Sequence, residues 1–145
     1  MKKCKYDQGI FKPIHPEKYI GNVNNIMYRS GLEKKYMLYF DNNTNVLNWS
    51  SEEVVIPYTQ VDGTRHRYFV DFFVKVKTKD GTIKQFLVEI KPYDQCFPPK
   101  TPKRVTKAFK ERIKTFFVNQ SKWEAAKKSA EKNGMTFIIL TERDL

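Results

Sequence analysis

Three charged residues interrupt two otherwise apolar runs. Asp71 stands in Tyr68-Phe69-Val70-Asp71-Phe72-Phe73-Val74, and Glu89 and Lys91 stand in Phe86-Leu87-Val88-Glu89-Ile90-Lys91. Carboxylates in such company need a compensating partner, because burying an unpaired charge is costly. In an extended strand, residues two apart share a face, so Glu89 and Lys91 point the same way. If Asp71 faces Glu89, two carboxylates oppose and repel each other. A hard divalent cation resolves that conflict: Mg²⁺ takes one or two carboxylates together with waters and substrate phosphates. Lys91, one strand step away, can hold a phosphate or orient a water, so the set suits metal-assisted phosphodiester hydrolysis. The plain alternative is an Asp–Lys or Glu–Lys ion pair at a strand end.

The turn between the two strands decides whether Asp71 meets Glu89. His66 to Lys77 sets Tyr68, Val70, Phe72, Val74 and Val76 against Phe69, Asp71, Phe73 and Lys75, and reads as one strand. Thr82 to Lys91 reads as its partner. A two-residue Asp80-Gly81 turn puts Asp71 opposite Ile90. A three-residue Lys79-Asp80-Gly81 loop, with Gly81 left-handed in a G1 bulge, puts Asp71 opposite Glu89. We expect the three-residue loop, and a bulge elsewhere in the hairpin gives the same shift.

Other elements must hold this hairpin. Ser30-Gly31-Leu32-Glu33 is a capping box, followed by Leu32, Tyr36 and Phe40 at helical spacing with Met37 beside them. Asp41-Asn42-Asn43 ends that helix. Trp49 and Ser50-Ser51 lead into a β-branched strand from Glu53 to Tyr58, with Pro57 favouring an edge; Glu52 and Glu53 read as its solvated start, the alternative being that one of them reaches the metal site. Pro92, Pro98, Pro99 and Pro102 mark a non-helical linker. A helix follows with Val105, Phe109, Ile113 and Phe116/Phe117 on one face. Ser121 with Glu124 predicts a restarted helix carrying Trp123, Ala126 and Ala130, and Gly134 its end. Met135 to Thr141 reads as a buried strand. The order α-β-β-β-α-α-β predicts an α/β fold, a mixed sheet flanked by helices.

The 145 residues are one domain's worth. They carry 27 Lys+Arg against 16 Asp+Glu, a net charge of +11 that favours an anionic partner. An aromatic content of 14% argues against disorder. No apolar run approaches the ~18 residues of a membrane span. Met1 to Gln8 is basic with no apolar stretch behind it, so no secretory signal is expected. Cys4 and Cys96 give neither a disulfide framework nor a Cys-x-x-Cys zinc pair. Residues 1–28, broken by Pro13 and Pro16, read as a basic aromatic arm. Lys103, Arg104, Lys107, Lys110, Arg112 and Lys114 decorate the helix after the linker. With the arm, they are expected to contact the phosphate backbone without reading bases.

Asp71…Glu89-Ile90-Lys91 resembles the PD-(D/E)xK nuclease signature, with Val70 in place of the usual Pro. That resemblance implies a restriction-endonuclease-like α-β-β-β-α-β core. It also implies a metal site built from Asp71, Glu89 and the backbone carbonyl of Ile90, with Lys91 catalytic. The superfamily commonly adds an acidic residue from the preceding helix, and Glu33 occupies that place as a further catalytic and metal-ligating candidate. Glu33 is also the capping-box partner of Ser30, and the two roles conflict if its side chain folds back.

Longer stretches resemble the head-completion nucleases of T-even-like tailed phages. They are Tyr28-Arg29-Ser30-Gly31-Leu32-Glu33, Trp49-Ser50-Ser51-Glu52, Ile56-Pro57-Tyr58, His66 to Phe72, Glu89-Ile90-Lys91-Pro92, Lys122 to Ala126 and Phe137 to Glu142. The transposon-end nuclease of heteromeric transposases shares a looser version. The resemblance implies one nuclease domain over 1–145, with the arm at 1–28 and the core at 29–145. The implied activity is Mg²⁺-dependent cleavage of double-stranded DNA, endo- or exonucleolytic, with Mn²⁺ as a substitute and no organic cofactor. The implied setting is phage head completion before head–tail joining, with head and neck proteins as partners and no membrane. The corresponding places are the head–tail junction of the virion and the host cytoplasm during assembly. Two rival readings are a non-catalytic DNA-binding neck component and a recombination or transposon-end nuclease, which would need a sequence-reading partner.

Overall fold

The structure is a computed structural model and describes residues 8–145; Met1 to Asp7, with Cys4 and the beginning of the basic arm, lie outside the described residues. In chain order the elements are β1 (Gly9–Ile10), β2 (Met27–Tyr28), α1 (Gly31–Asn42), β3 (Val46–Ser51), β4 (Val55–Thr59) and β5 (Arg65–Phe69). There follow β6 (Phe72–Lys77), β7 (Ile83–Ile90), α2 (Lys107–Lys132) and β8 (Thr136–Leu140). The central sheet runs β3-β6-β7-β8, antiparallel except for the parallel β7–β8 pair, which α2 connects. This is the expected mixed sheet with helices packed against it.

The Thr78–Thr82 turn sets the register of the site. The Thr78 N–H donates to the Thr82 carbonyl (2.8 Å), and Gly81 adopts φ +85°. Only a left-handed residue closes this three-residue loop cheaply, and glycine has no Cβ to oppose it. Phe72 therefore faces Val88, and the next step puts Asp71 across from Glu89.

Each sheet face has its own core. Phe72, Val74, Val88 and Ile90 pack with Tyr36, Met37 and Phe40 of α1 and with the fully buried Trp49. On the other face Leu87, with Phe73 and Phe137, meets Ala126 and Ala130 of α2 and Ile56, Tyr58 and Tyr68 of β4 and β5. Ala126 and Ala130, four apart on one helix face and fully buried, let α2 lie close to the sheet.

The structure corrects four expectations. The strand from His66 to Lys77 is broken at Val70-Asp71, and its first half pairs with β4 in a separate two-stranded ribbon. Ser51 faces Phe72 and Val55 faces Phe69, so three residues, 52–54, span the step that 70–71 span on the partner. This is a β-bulge, and it bends the ribbon away from the sheet. A strand at Val46–Ser51 was not foreseen, because an irregularity between Val46 and Asn48 destroys its period of two. The third correction concerns α2, a single 26-residue helix. Its cap is Thr106, which accepts from the Phe109 N–H at 3.1 Å. Ser121 instead donates to the Phe117 carbonyl one turn back, so the Ser121/Glu124 spacing starts nothing.

Fourth, residues 9–28 are not an arm apart from the core. Phe11, Tyr19 and Ile26 are buried in it, and Tyr19 meets the Trp49 ring edge-on at 4.8 Å. Lys18 Nζ donates to the carbonyls of Phe40 (2.6 Å), Asp41 (2.8 Å) and Asn43 (2.8 Å), closing the C-terminal end of α1. Buried Asp41 in turn accepts the Ile14 and His15 N–H groups. Lys18→Met is accordingly expected to destabilise the protein by about 1.5–3 kcal/mol, the scale of charge-assisted hydrogen bonds, as read by urea unfolding. No helix among the described residues is long and apolar enough to cross a membrane.

Candidate active site

The site lies where the sheet gives way to the ribbon. Asp71 occupies the break between β5 and β6, and Glu89 lies in the buried C-terminal half of β7. Asp71 Oδ2 accepts the Ile90 N–H at 2.8 Å. Glu89 divides its oxygens: one accepts a hydrogen bond from the Tyr68 hydroxyl, the other stands 3.8 Å from Lys91 Nζ. The expected trio of Asp71, Glu89 and Lys91 is thus brought together, and Ile90 lies between its last two members.

The electrostatics of this cluster are frustrated. Burial, and then the field of Glu89, push the Asp71 carboxyl well above the usual carboxylate range, against the pull of the Ile90 N–H. Burial and Glu89 also push the Tyr68 hydroxyl up, so Tyr68 remains a donor. A cation between the two carboxylates would relieve the conflict, and their all-oxygen chemistry fits a hard divalent ion. Among the described residues no three His, Cys, Asp or Glu side chains converge as a metal cage. Two carboxylates are, however, within the number Mg²⁺ normally uses, the remainder being water, carbonyl and phosphate oxygens.

Glu33 sits beside this pair but is otherwise engaged. The Ser30 hydroxyl caps α1 by accepting the Glu33 N–H (3.1 Å), while Glu33 Oε2 accepts the Arg29 N–H (2.7 Å). The side chain therefore reaches back past Ser30 to the residue before it, and half of the capping box is replaced. Burial raises the Glu33 pKa, opposed by the Arg29 N–H and reinforced by the fields of Glu52 and Glu89. Glu33 lies within electrostatic reach of Asp71 and Glu89 without forming a third member of a cage.

Sequence reasoning missed three contributors. Tyr68 reads as an ordinary apolar strand residue, yet its hydroxyl fixes Glu89. Lys122 of α2 lies over the Tyr68 ring at 5.7 Å, bringing a cation from the helix toward the site. Arg29 grips Glu52 through Nε (2.8 Å) and Nη2 (3.2 Å). Glu52 does so from φ +57°, a left-handed conformation uncommon outside glycine, asparagine and aspartate. Its N–H donates to the Asp71 carbonyl (3.1 Å), so the bulge and the candidate ligand share a backbone bond. No spacing in the sequence signals these pairs. Lys103, Arg104, Lys107, Lys110 and Lys114 are all exposed, before and along the first turns of α2, and contribute no ion pair to the acidic cluster.

A mixed sheet that sets an Asp opposite a Glu-x-Lys strand, flanked by helices, defines a restriction-endonuclease-like nuclease. The model of the TnsA-like endonuclease N-terminal family matches residues 43–142, and the chain belongs to that family. It is also 40% identical over 142 residues to the head completion nuclease of Enterobacteria phage T4, covering 94% of this chain and 92% of that protein. No solved structure matches it.

Proposed function

We propose that this chain is a Mg²⁺-dependent DNA nuclease acting in phage head completion, before heads are joined to tails. The observation that carries the chemistry is the opposition of Asp71 and Glu89 with Lys91 Nζ 3.8 Å from Glu89. The likeness to a head completion nuclease supports the setting. On this reading the place of action is the head–tail junction, the partners are head and neck proteins and the substrate is double-stranded DNA.

Asp71 and Glu89 would hold the ion, with the Ile90 carbonyl and waters, and Mn²⁺ is expected to substitute. Such an ion, when bound, polarises a phosphoryl oxygen and lowers the pKa of a coordinated water. The protein's own part is positioning and charge. The Ile90 N–H fixes Asp71 and the Tyr68 hydroxyl fixes Glu89, so both carboxylates are oriented before anything binds. Lys91 holds a positive charge where negative charge grows on the phosphate during attack. Glu33, held by Arg29, adds to the negative field at the Asp71 side.

The test is incubation of the purified protein with linear and circular duplex DNA, with Mg²⁺ or with chelator, beside Asp71→Ala and Lys91→Ala. Lys91→Ala is expected to cut roughly 10²–10³-fold more slowly while binding DNA about as well as the wild type. Cleavage that persists in chelator, or that ignores both substitutions, would sink the mechanism. Binding without cutting by every variant would favour a purely structural neck component, and cutting confined to one sequence a recombination nuclease. Tyr68→Phe is expected to raise the Mg²⁺ concentration for half-maximal cutting by about 10–100-fold, the usual cost of losing a group that orients a metal ligand. An unchanged Mg²⁺ titration would reduce Tyr68 to packing.

A further inference from the structure

Among the described residues, nothing covers one face of the β4–β5 ribbon. Ile56, Tyr58 and Tyr68 turn inward onto α2 and the sheet, while Val55, Pro57, Thr59, Arg65, Arg67 and Phe69 are exposed. The outer face carries two arginines and no carboxylate. At the tip, Asp62 is tied down by the Thr64 N–H (2.9 Å) and hydroxyl (2.6 Å). The Arg67 guanidinium lies 5.6 Å from the centre of the Phe69 ring, which holds the long side chain along the face.

Position matters as much as charge. Arg65, Arg67 and Phe69 occupy alternate places on β5, which runs directly into the break that holds Asp71. At about 3.3 Å per residue, Arg67 and Arg65 stand at most about 13 and 20 Å along the chain from that carboxylate. A two-stranded ribbon also has the dimensions to enter a duplex major groove, which is about 12 Å wide.

Resting on the nuclease reading above, we propose that the outer face of the β4–β5 ribbon is the surface on which duplex DNA docks, Arg65 and Arg67 pairing with phosphates that flank the bond presented to Asp71 and Glu89. The bulge at 52–54 aims this face, and the inward packing of Ile56, Tyr58 and Tyr68 holds it rigid. The contacts are to backbone, so docking tolerates any sequence and weakens with salt.

Anisotropy of a labelled 30-base-pair duplex, in chelator so that nothing is cut, tests the surface across a series of NaCl concentrations. The variants are Arg65→Ala/Arg67→Ala and, with the same change in charge, Lys127→Ala/Lys132→Ala on the far half of α2. The ribbon variant is expected to bind at least tenfold more weakly at low salt. Its slope of log affinity against log salt should fall by about 1.8, the loss of two phosphate contacts. The α2 variant should stay within twofold of wild type with its slope unchanged. Arg65→Gln/Arg67→Gln repeats the measurement with longer polar side chains, and melting curves check that each variant is folded. Equal weakening of both pairs, or a ribbon variant that binds like wild type, overturns the docking surface. If the wild type cuts DNA in Mg²⁺ in that same case, the nuclease reading stands and the surface alone falls. A wild type that neither binds nor cuts overturns both.

Discussion

Replacing Asp71 by asparagine is expected to slow DNA cleavage by about a thousandfold and, in chelator, to raise the melting temperature at pH 8. Asparagine keeps the shape and the oxygen that accepts the Ile90 N–H, but not the charge that opposes Glu89. The sign follows from the raised pKa of Asp71. The folded protein holds this proton more tightly than the unfolded chain does. Stability is therefore fully present below the unfolded carboxylate pKa, near 4, and is lost as pH rises toward the raised folded value. Metal-free wild type should thus be more stable at mildly acid pH than at pH 8, and Asp71→Asn should flatten that dependence. Adding Mg²⁺ at pH 8 should stabilise the wild type, because the ion binds the folded state, and leave the variant much less changed. Melts at pH 5 and pH 8, each with chelator or Mg²⁺, check all of this. A variant less stable than wild type at both pH values would show that the carboxylate pair is not under strain.

Trp49→Ala should cost about 3–5 kcal/mol, the scale of deleting a large aromatic side chain from a core. Trp49 is fully buried and its ring meets Phe11, Tyr19, Phe40 and Phe72 at centroid distances of 4.8–6.2 Å. It thereby joins the N-terminal segment, α1, β3 and β6 around one side chain. Small domains are stable by about 5–15 kcal/mol, so this single truncation should leave the fold marginal. The indole N–H has no hydrogen-bond partner among the described residues, so Trp49→Phe should cost much less than Trp49→Ala: it fills most of the space and removes an unsatisfied donor. Urea unfolding of both variants measures the difference. Equal losses would mean that shape complementarity, rather than buried area, dominates at this position.

The candidate site was legible where short-range rules decide it. The Lys79-Asp80-Gly81 loop fixes a register by turn chemistry, so the meeting of Asp71 and Glu89 follows from a few residues. The Ser30 cap and the Tyr36/Phe40 stripe of α1 are equally local. Where long-range packing decides, the sequence misleads. The alternation of His66 to Lys77 runs unbroken through Asp71, but the extra residue that breaks the strand lies on its partner, at 52–54. Ser121 and Glu124 have the spacing of a cap, yet Asn119 ahead of the supposed start and Trp123, Ala126 and Ala130 after it are buried along one helix face and keep α2 whole. The prolines of the N-terminal segment hide Phe11, Tyr19 and Ile26, whose burial depends on Trp49 and α1. Tyr68 and Arg29 become visible only when their partners, 21 and 23 positions away, are placed beside them.

The bulge carries a consequence for how this chain can change length. Side chains alternate along a strand, so an odd insertion or deletion within 52–54 exchanges the two faces of β4 beyond it. Ile56 and Tyr58 would then point to water, and Val55 and Pro57 to α2. A change of two residues preserves the alternation and merely slides the ribbon. Tolerance to indels in this segment should therefore follow parity rather than size, with the loss of one residue more damaging than the gain of two.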